Sequence, residues 1–401
     1  MKRKHSITES NATRFVIDRN DAVLTLEGCP DEILLLILSY CSPLDLYQEL
    51  LNLNSRFRRI ILDPIQMKLN KLDFSSNLSK TDFHRLCQLS MVNPSEVEYL
   101  RLSNSGMYGA VHVFLKSSRF GRILSQFVNL KSLVLVELTE AQLNEVVDKV
   151  LQHSIEYLSI QTRFTLKTDI ILSVQTLKSF SLSLLNTDEV FDFGSCWMLS
   201  RSNISSLSID NGCSYPSCLI LFRFLPNLRS LNICITHFDS EQAPPINLKY
   251  STGPLPKLTH FALKNGCGVP YHCMESLIKL TGSNLTHLLY TCPKVHDISE
   301  MTGERIKTQL LSALPKLKAF HYNCTYLNVP ATLDFCCIAL SFQQITRWNF
   351  QCDYQAERGE AHVYTVPLTK TKYFKTNLYQ THTNYESTAR YTSFQCFKDI
   401  A

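Results

Sequence analysis

The chain of 401 residues contains fifteen cysteines, so the first question is whether any stands where a thiol could hold a metal or act as a nucleophile. Cys213 with Cys218, and Cys267 with His272 and Cys273, are the tight groupings with local partners. A structural zinc site takes its ligands in pairs at Cys-x-x-Cys-like spacing, with a second pair at a regular distance. Neither grouping has that form, so no metal is expected. The adjacent Cys336 and Cys337 fall in TLDFCCIALSF, an apolar run that reads as core. Cys29, Cys41, Cys234 and Cys292 lie within or beside patterned segments, where free cysteine packs as a small hydrophobe. The sequence also lacks a Gly-rich phosphate loop, a Gly-x-Ser-x-Gly elbow and a His-Glu-x-x-His pair. No catalytic residue and no cofactor are therefore expected.

Charge and hydropathy narrow the classes further. A net charge of +5 falls short of the bias of a dedicated nucleic-acid-binding domain, and no nucleic-acid partner is expected. The longest apolar run, ILLLIL, is far below the roughly 18 residues of a membrane span. MKRKHSITESNATRF carries a basic run with no apolar core after it, unlike a secretory signal. The glycosylation acceptor patterns at Asn11, Asn77, Asn203, Asn284 and Asn323 acquire meaning only on export. Reduced thiols in the cytoplasm or nucleus are the expectation.

The elements come next, beginning with residues 25 to 65. Pro30 suits a first helical turn, and Asp31 with Glu32 places negative charge at the positive end of the helix dipole. The helix so begun, through Ile33, Leu34, Leu35, Leu36, Ile37, Leu38 and Tyr40, is apolar nearly all round and must be covered on two sides. SPLDLYQELLNLN offers a second start, with Ser42 and Asp45 as a capping box and Leu46, Leu50 and Leu53 on one face. NSRFRRIIL offers a third, with Asn54 or Ser55 as cap and Phe57, Ile60 and Ile61 inward. A unit of about forty residues is near the lower limit for independent folding, so its apolar excess needs a partner or the rest of the chain.

CPDEILLLILSYCSPLDLYQELLNLNSRFRRII resembles an F-box, the three-helix module that docks on the Skp adaptor of cullin/RING ubiquitin ligases. The resemblance rests on the Pro-x-Glu-Ile opening, the Ile37, Leu38 and Tyr40 run, the Leu44-Asp45-Leu46 step and the Asn54 to Arg59 stretch. It implies adaptor contacts from Pro30, Glu32, Ile33, Leu36, Ile37, Leu38, Tyr40, Leu44 and Leu46, and through the adaptor a cullin and a RING subunit. Cys29 and Cys41 stand where the family usually has leucine, a loss of burial of roughly 1–2 kcal/mol.

A six-residue pattern follows: VEYLRL from Val97, LKSLVL from Leu130, IEYLSI from Ile155, LKSFSL from Leu177, ISSLSI from Ile204, LRSLNI from Leu228, LTHFAL from Leu258, LTHLLY from Leu285, LKAFHY from Leu317 and ITRWNF from Ile345. Successive copies start 22 to 33 residues apart. Their last two apolar positions alternate with polar ones, as in a strand with one buried face. Helical patterns lie between: TEAQLNEVVDKVLQHS with Thr139 and Gln142 as a capping pair, HCMESLIKL with Met274, Leu277 and Ile278, and GERIKTQLLSALPKL with Ile306, Leu310 and Leu314. Strand and helix repeated at this period resemble a leucine-rich-repeat solenoid, an α/β horseshoe. The usual Asn or Cys after each strand is missing; Asn104, Asn211, Asn265 and Asn323 sit one place early, as a shifted turn or, the favoured reading, as loop residues.

The expected organisation is a tail over 1–24, the F-box over 25–65, a helical linker over 66–95, the solenoid over 96–352 and a C-terminal cap or loose tail over 353–401. Arg101, Tyr157, Lys178, Arg229, His260, His287 and Arg347 are candidates for an exposed strand row that binds a protein. The resemblance implies a substrate receptor. The alternative is an interaction scaffold outside ubiquitin transfer, whose N-terminal helices cap the repeats. A cap would bury all of Ile33, Leu36, Ile37 and Leu38, whereas a docking module leaves one face open.

Overall fold

The structure is a computed structural model that describes residues 26–41, 46–62, 71–74, 94–105, 109–116, 126–150, 154–164, 171–172, 174–186, 191, 202–238, 255–266, 269–295, 302–329, 332–355 and 358–366. These fall into two compact units, one holding the described residues up to Leu62 and the other those from Lys71 onward.

In the first unit a 3-10 turn, Leu26–Gly28, leads into helix α1, Asp31–Leu38; a π-type turn, Leu46–Leu50, precedes helix α2, Ser55–Leu62. Pro30 ends the extended lead-in at φ −55° and ψ 152°. Asn54 is the cap of α2, its side chain accepting from the Phe57 amide at 3.0 Å. Leu34, Leu38, Leu46, Leu51, Phe57, Ile60 and Ile61 make the small core. The Ser42 to Asp45 capping box lies outside the described residues.

The second unit is a mixed α/β layer built on a twelve-stranded sheet. Its strands are β1 Lys71–Phe74, β2 Tyr99–Ser103, β3 Ser132–Val136, β4 Tyr157–Thr162, β5 Ser179–Leu184, β6 Ser206–Ser214, β7 Ser230–His237, β8 His260–Asn265, β9 His287–Val295, β10 Ala319–Tyr326, β11 Phe350–Gln355 and β12 Glu360–Thr365. The first ten lie in chain order and pair in parallel, copy against copy. The sequence pattern explains the register. Leu130, Ile155, Leu177 and their equivalents form one buried row, and the two alternating strand positions, such as Leu158 and Ile160, form two more. In three copies Leu-Pro-(Asn/Lys)-Leu supplies the preceding turn, with the amides of Leu228, Leu258 and Leu317 donating back to Leu225, Leu255 and Leu314. Proline at the second position of such a turn is pre-set for it.

Helices α3 Ala110–Lys116, α4 Glu140–Val150, α5 Tyr215–Phe224, α6 Tyr271–Leu280 and α7 Thr332–Gln343 are interposed between strands. So is a helical run, Gly303–Ala313, that passes from α through π to 3-10 geometry. The capping pair forms as a reciprocal box: Thr139 accepts from the Gln142 amide at 3.4 Å, and Gln142 from the Thr139 amide at 3.0 Å.

Four details differ from the sequence reading. The helix expected across the linker is replaced at Lys71–Phe74 by β1, because LNKLDF is an earlier copy of the same pattern, with Leu72 and Phe74 buried. The copy ITRWNF does not stack on its predecessor: β12 inserts antiparallel between β10 and β11, so the sheet runs past the boundary drawn at residue 352. Asn104 and Asn211 are more than loop residues, since their amides donate across the sheet to Glu137 O at 3.1 Å and Leu184 O at 3.4 Å. Asn265 instead closes its own loop on Val269. Cys337 is exposed on α7, not core.

Candidate interaction surfaces

Helix α1 divides its apolar residues between two faces. Leu34 and Leu38 are fully buried, whereas Ile33 is 46%, Leu36 57%, Ile37 38% and Tyr40 85% exposed. Steps of three and four along a helix place those four side chains in one stripe. Pro30 and Glu32 are exposed near its start, and Leu53 is also open. Of the residues assigned to the adaptor, Leu38 and Leu46 belong to the core rather than the stripe. Leu44 lies outside the described residues. Cys29 and Cys41 are half-buried.

The stripe is held in place from α2. Arg56 donates to Asp31 from Nε at 2.8 Å and from its terminal nitrogen at 2.5 Å, and reaches the carbonyls of Glu27 at 2.5 Å and Cys29 at 2.6 Å. Arg59 adds a bond to Asp31 at 3.0 Å, and Asn54 binds Glu27 at 3.0 Å. The Arg56 hydrogen bond holds the Asp31 carboxyl below its ordinary value of 3.8, against the opposing effect of burial.

The second surface is the face of the sheet that alternates away from the buried rows. Its first outward row contains Tyr99, Ser132, Tyr157, Ser179, Ser206, Ser230, His260 and His287 in continuous register. Tyr157, His260 and His287, three of the residues assigned to target binding, are brought together on this row. Arg101 stands two positions further along β2, 4.0 Å from Asp73. Lys178 and Arg229 are exposed immediately before β5 and β7, and Lys178 pairs with Glu156 at 2.9 Å. Arg347 is not part of this surface: it donates to the Leu317 carbonyl and lies over the Trp348 ring at 5.2 Å, bracing the turn before β11. Sequence reasoning missed Lys264 and His321, which alternate outward on β8 and β10. The signal was present, since each follows a buried position of its copy.

Among the described residues no group of three His, Cys, Asp or Glu side chains could hold a metal, and no helix is long and apolar enough to cross a membrane. The Cys213 and Cys218 sulfurs are 3.4 Å apart and buried, with the Cys218 thiol pushed far up by desolvation, the reverse of what a nucleophile needs. A cavity of about 480 Å³ between α3 and α4, lined by Asn104, His112, Gln142 and Glu145 among others, has its Asn104 and Gln142 amides bonded to each other at 2.9 Å.

No family model matches this sequence, and no curated protein does. Among solved structures, the crystal structure of a Rad7 and Elc1 complex in yeast is similar to 72% of this chain and 80% of that chain, at 16% identity and a TM-score of 0.38.

Proposed function

We propose that this chain is the non-catalytic, target-recruiting subunit of a Skp/cullin/F-box ubiquitin ligase. Its N-terminal helices are the F-box that docks on a Skp-type adaptor, and its sheet is a leucine-rich-repeat solenoid whose open face holds the target protein. The observation that carries the reading is the split of α1, with Leu34 and Leu38 inside and Ile33, Leu36, Ile37 and Tyr40 outside. An exposed apolar stripe of this kind on a folded unit marks a docking surface. The Arg56 to Asp31 clamp supports the reading by fixing the stripe to α2 before any partner arrives, which lowers the ordering cost of binding.

Catalysis in such an assembly belongs to other subunits. Holding a target lysine beside an activated thioester turns a bimolecular step into an effectively intramolecular one, and that proximity is this chain's contribution. The test is reconstitution: the chain mixed with a Skp-type adaptor, a cullin and a RING subunit should co-migrate as one species in size-exclusion chromatography. A chain that elutes alone under those conditions, while remaining folded, belongs to the scaffold class instead.

A further inference from the structure

The open face changes character along the sheet. Over β2 to β5 charges of both signs pair across strands: Lys131 with Glu98 at 2.9 Å, Lys178 with Glu156 at 2.9 Å, and Arg163 with Glu137 at 3.0 Å. The segments of β7 to β10, residues 228–238, 258–266, 285–295 and 317–327, contain Arg229, Lys264, Lys294, Lys318 and four histidines, and neither Asp nor Glu.

The histidines at the centre of this patch are oriented. His260 and His287 are register partners, and their rings stack with centroids 4.2 Å apart and planes at 8°. The Thr259 hydroxyl donates to the Arg229 carbonyl and the Thr286 hydroxyl to the Thr259 carbonyl. Each threonine oxygen also meets the Nδ1 of the following histidine, at 2.9 Å for His260 and 2.8 Å for His287. With both hydroxyl protons committed, each ring must donate from Nδ1, and its basic nitrogen is Nε2. One row further on, Ala262 and Leu289 are paired outward, and beyond them Lys264 pairs with Thr291.

We infer that the open face of β7 to β10 binds a carboxylate-rich extended segment of the target protein, with the stacked His260 and His287 rings at the centre of the site. The inference deepens the proposed function, resting on its claim that this face holds a protein and not on adaptor docking. The charged groups around His287 are His260 on β8 and Lys318 and His321 at β10; they reinforce burial in holding its pKa down. Burial does the same for His321. Of the flanking carboxylates, Asp210 on β6 accepts from Asn232 at 3.1 Å and feels the charge of Lys264, Asp353 on β11 accepts from Tyr364 at 2.9 Å, and Glu360 on β12 lies 3.9 Å from His362. An incoming carboxylate supplies the missing countercharge, raises the His287 pKa and couples binding to proton uptake. Affinity must then rise as pH falls.

The experiment uses the full chain and fluorescent peptides of about twelve residues alternating Glu and Ala, beside a Gln and Ala counterpart and an oligothymidine of similar length. The Glu peptide should bind in preference to the Gln peptide, roughly tenfold more tightly at pH 6 than at pH 7.5. The double variant His260→Gln/His287→Gln should lose that pH dependence, Lys264→Gln should weaken binding, and Lys116→Gln, which removes an exposed cation on α3, should leave it unchanged. Thermal melts matched to the unmodified chain confirm that the variants fold. Equal affinity for the Gln peptide, affinity indifferent to pH, or tighter binding of oligothymidine would overturn the inference. So would the absence of peptide binding by a chain that still captures the Skp-type adaptor, an outcome that leaves the adaptor reading intact.

Discussion

At the scale of single residues, the most constrained positions are those where one side chain, or its absence, serves several neighbours. Asp31 is one. Because Arg56 holds its carboxyl below the ordinary value of 3.8, the stability it contributes is present above that value and is lost as pH falls through the lowered one. Acid should therefore loosen α1, and Asp31→Asn should flatten that dependence below about pH 4 while lowering stability at neutral pH; urea melts of the N-terminal helices at several pH values check both. Gly303 is another. A Cβ there would run into the backbone of Ser341 and Phe342, where the Gly303 amide already donates to the Ser341 hydroxyl at 2.9 Å. Gly303→Ala should cost about 1–3 kcal/mol in a denaturant melt, an overpacking penalty that the small size of the change does not suggest. Asp31 was legible as a helix-start charge, but neither its clamp to Arg56 nor the demand for glycine at 303 was. Arg56 and Asp31 are 25 positions apart on different helices, and the need for glycine at 303 arises from contact with α7.

At the scale of elements, legibility followed periodicity. The buried rows of β2 to β10 and the inward faces of α4 and α6 could be read because apolar side chains recur with the period of the element that buries them. The capping box at Thr139 and Gln142 could be read because both partners lie within one turn; Thr139→Ala should cost about 1 kcal/mol, measured by thermal unfolding. What escaped was non-local. The insertion of antiparallel β12 beside β10 depends on contacts with a strand about forty residues earlier, such as the Tyr322 amide donating to Thr365 Oγ1 at 2.9 Å, and no period announces it. Asn129, Asn203 and Asn284 reach back to the carbonyls of Ser95, Gln175 and Pro256, tying each turn to the one before. That ladder replaces the one sought after the strands. In α1 the all-round apolar pattern announced two covered faces but not which residues would take which. The structure makes the division testable: Leu34→Ala should cost about 2–5 kcal/mol of stability, and Leu36→Ala on the open stripe only a few tenths.

At the scale of the whole molecule, the proposed function divides between two surfaces. The stripe on α1 is apolar and nearly uncharged, whereas the open face of the sheet is polar, paired in charge over β2 to β5 and cationic over β7 to β10. An apolar surface suits a constant partner and a polar, pH-sensitive one suits selective capture, which is the division expected of an adaptor-bound receptor. Docking of the stripe on a Skp-type adaptor is measured by calorimetric titration of the purified chain with that adaptor. Saturable binding is expected, weakened at least about a hundredfold in Ile33→Asp/Ile37→Asp, because two unpaired carboxylates would be buried at the contact. Thermal stability of that variant should change little, since both side chains are already open to solvent. Absence of binding by the folded chain, or equal binding by the variant, would contradict that docking.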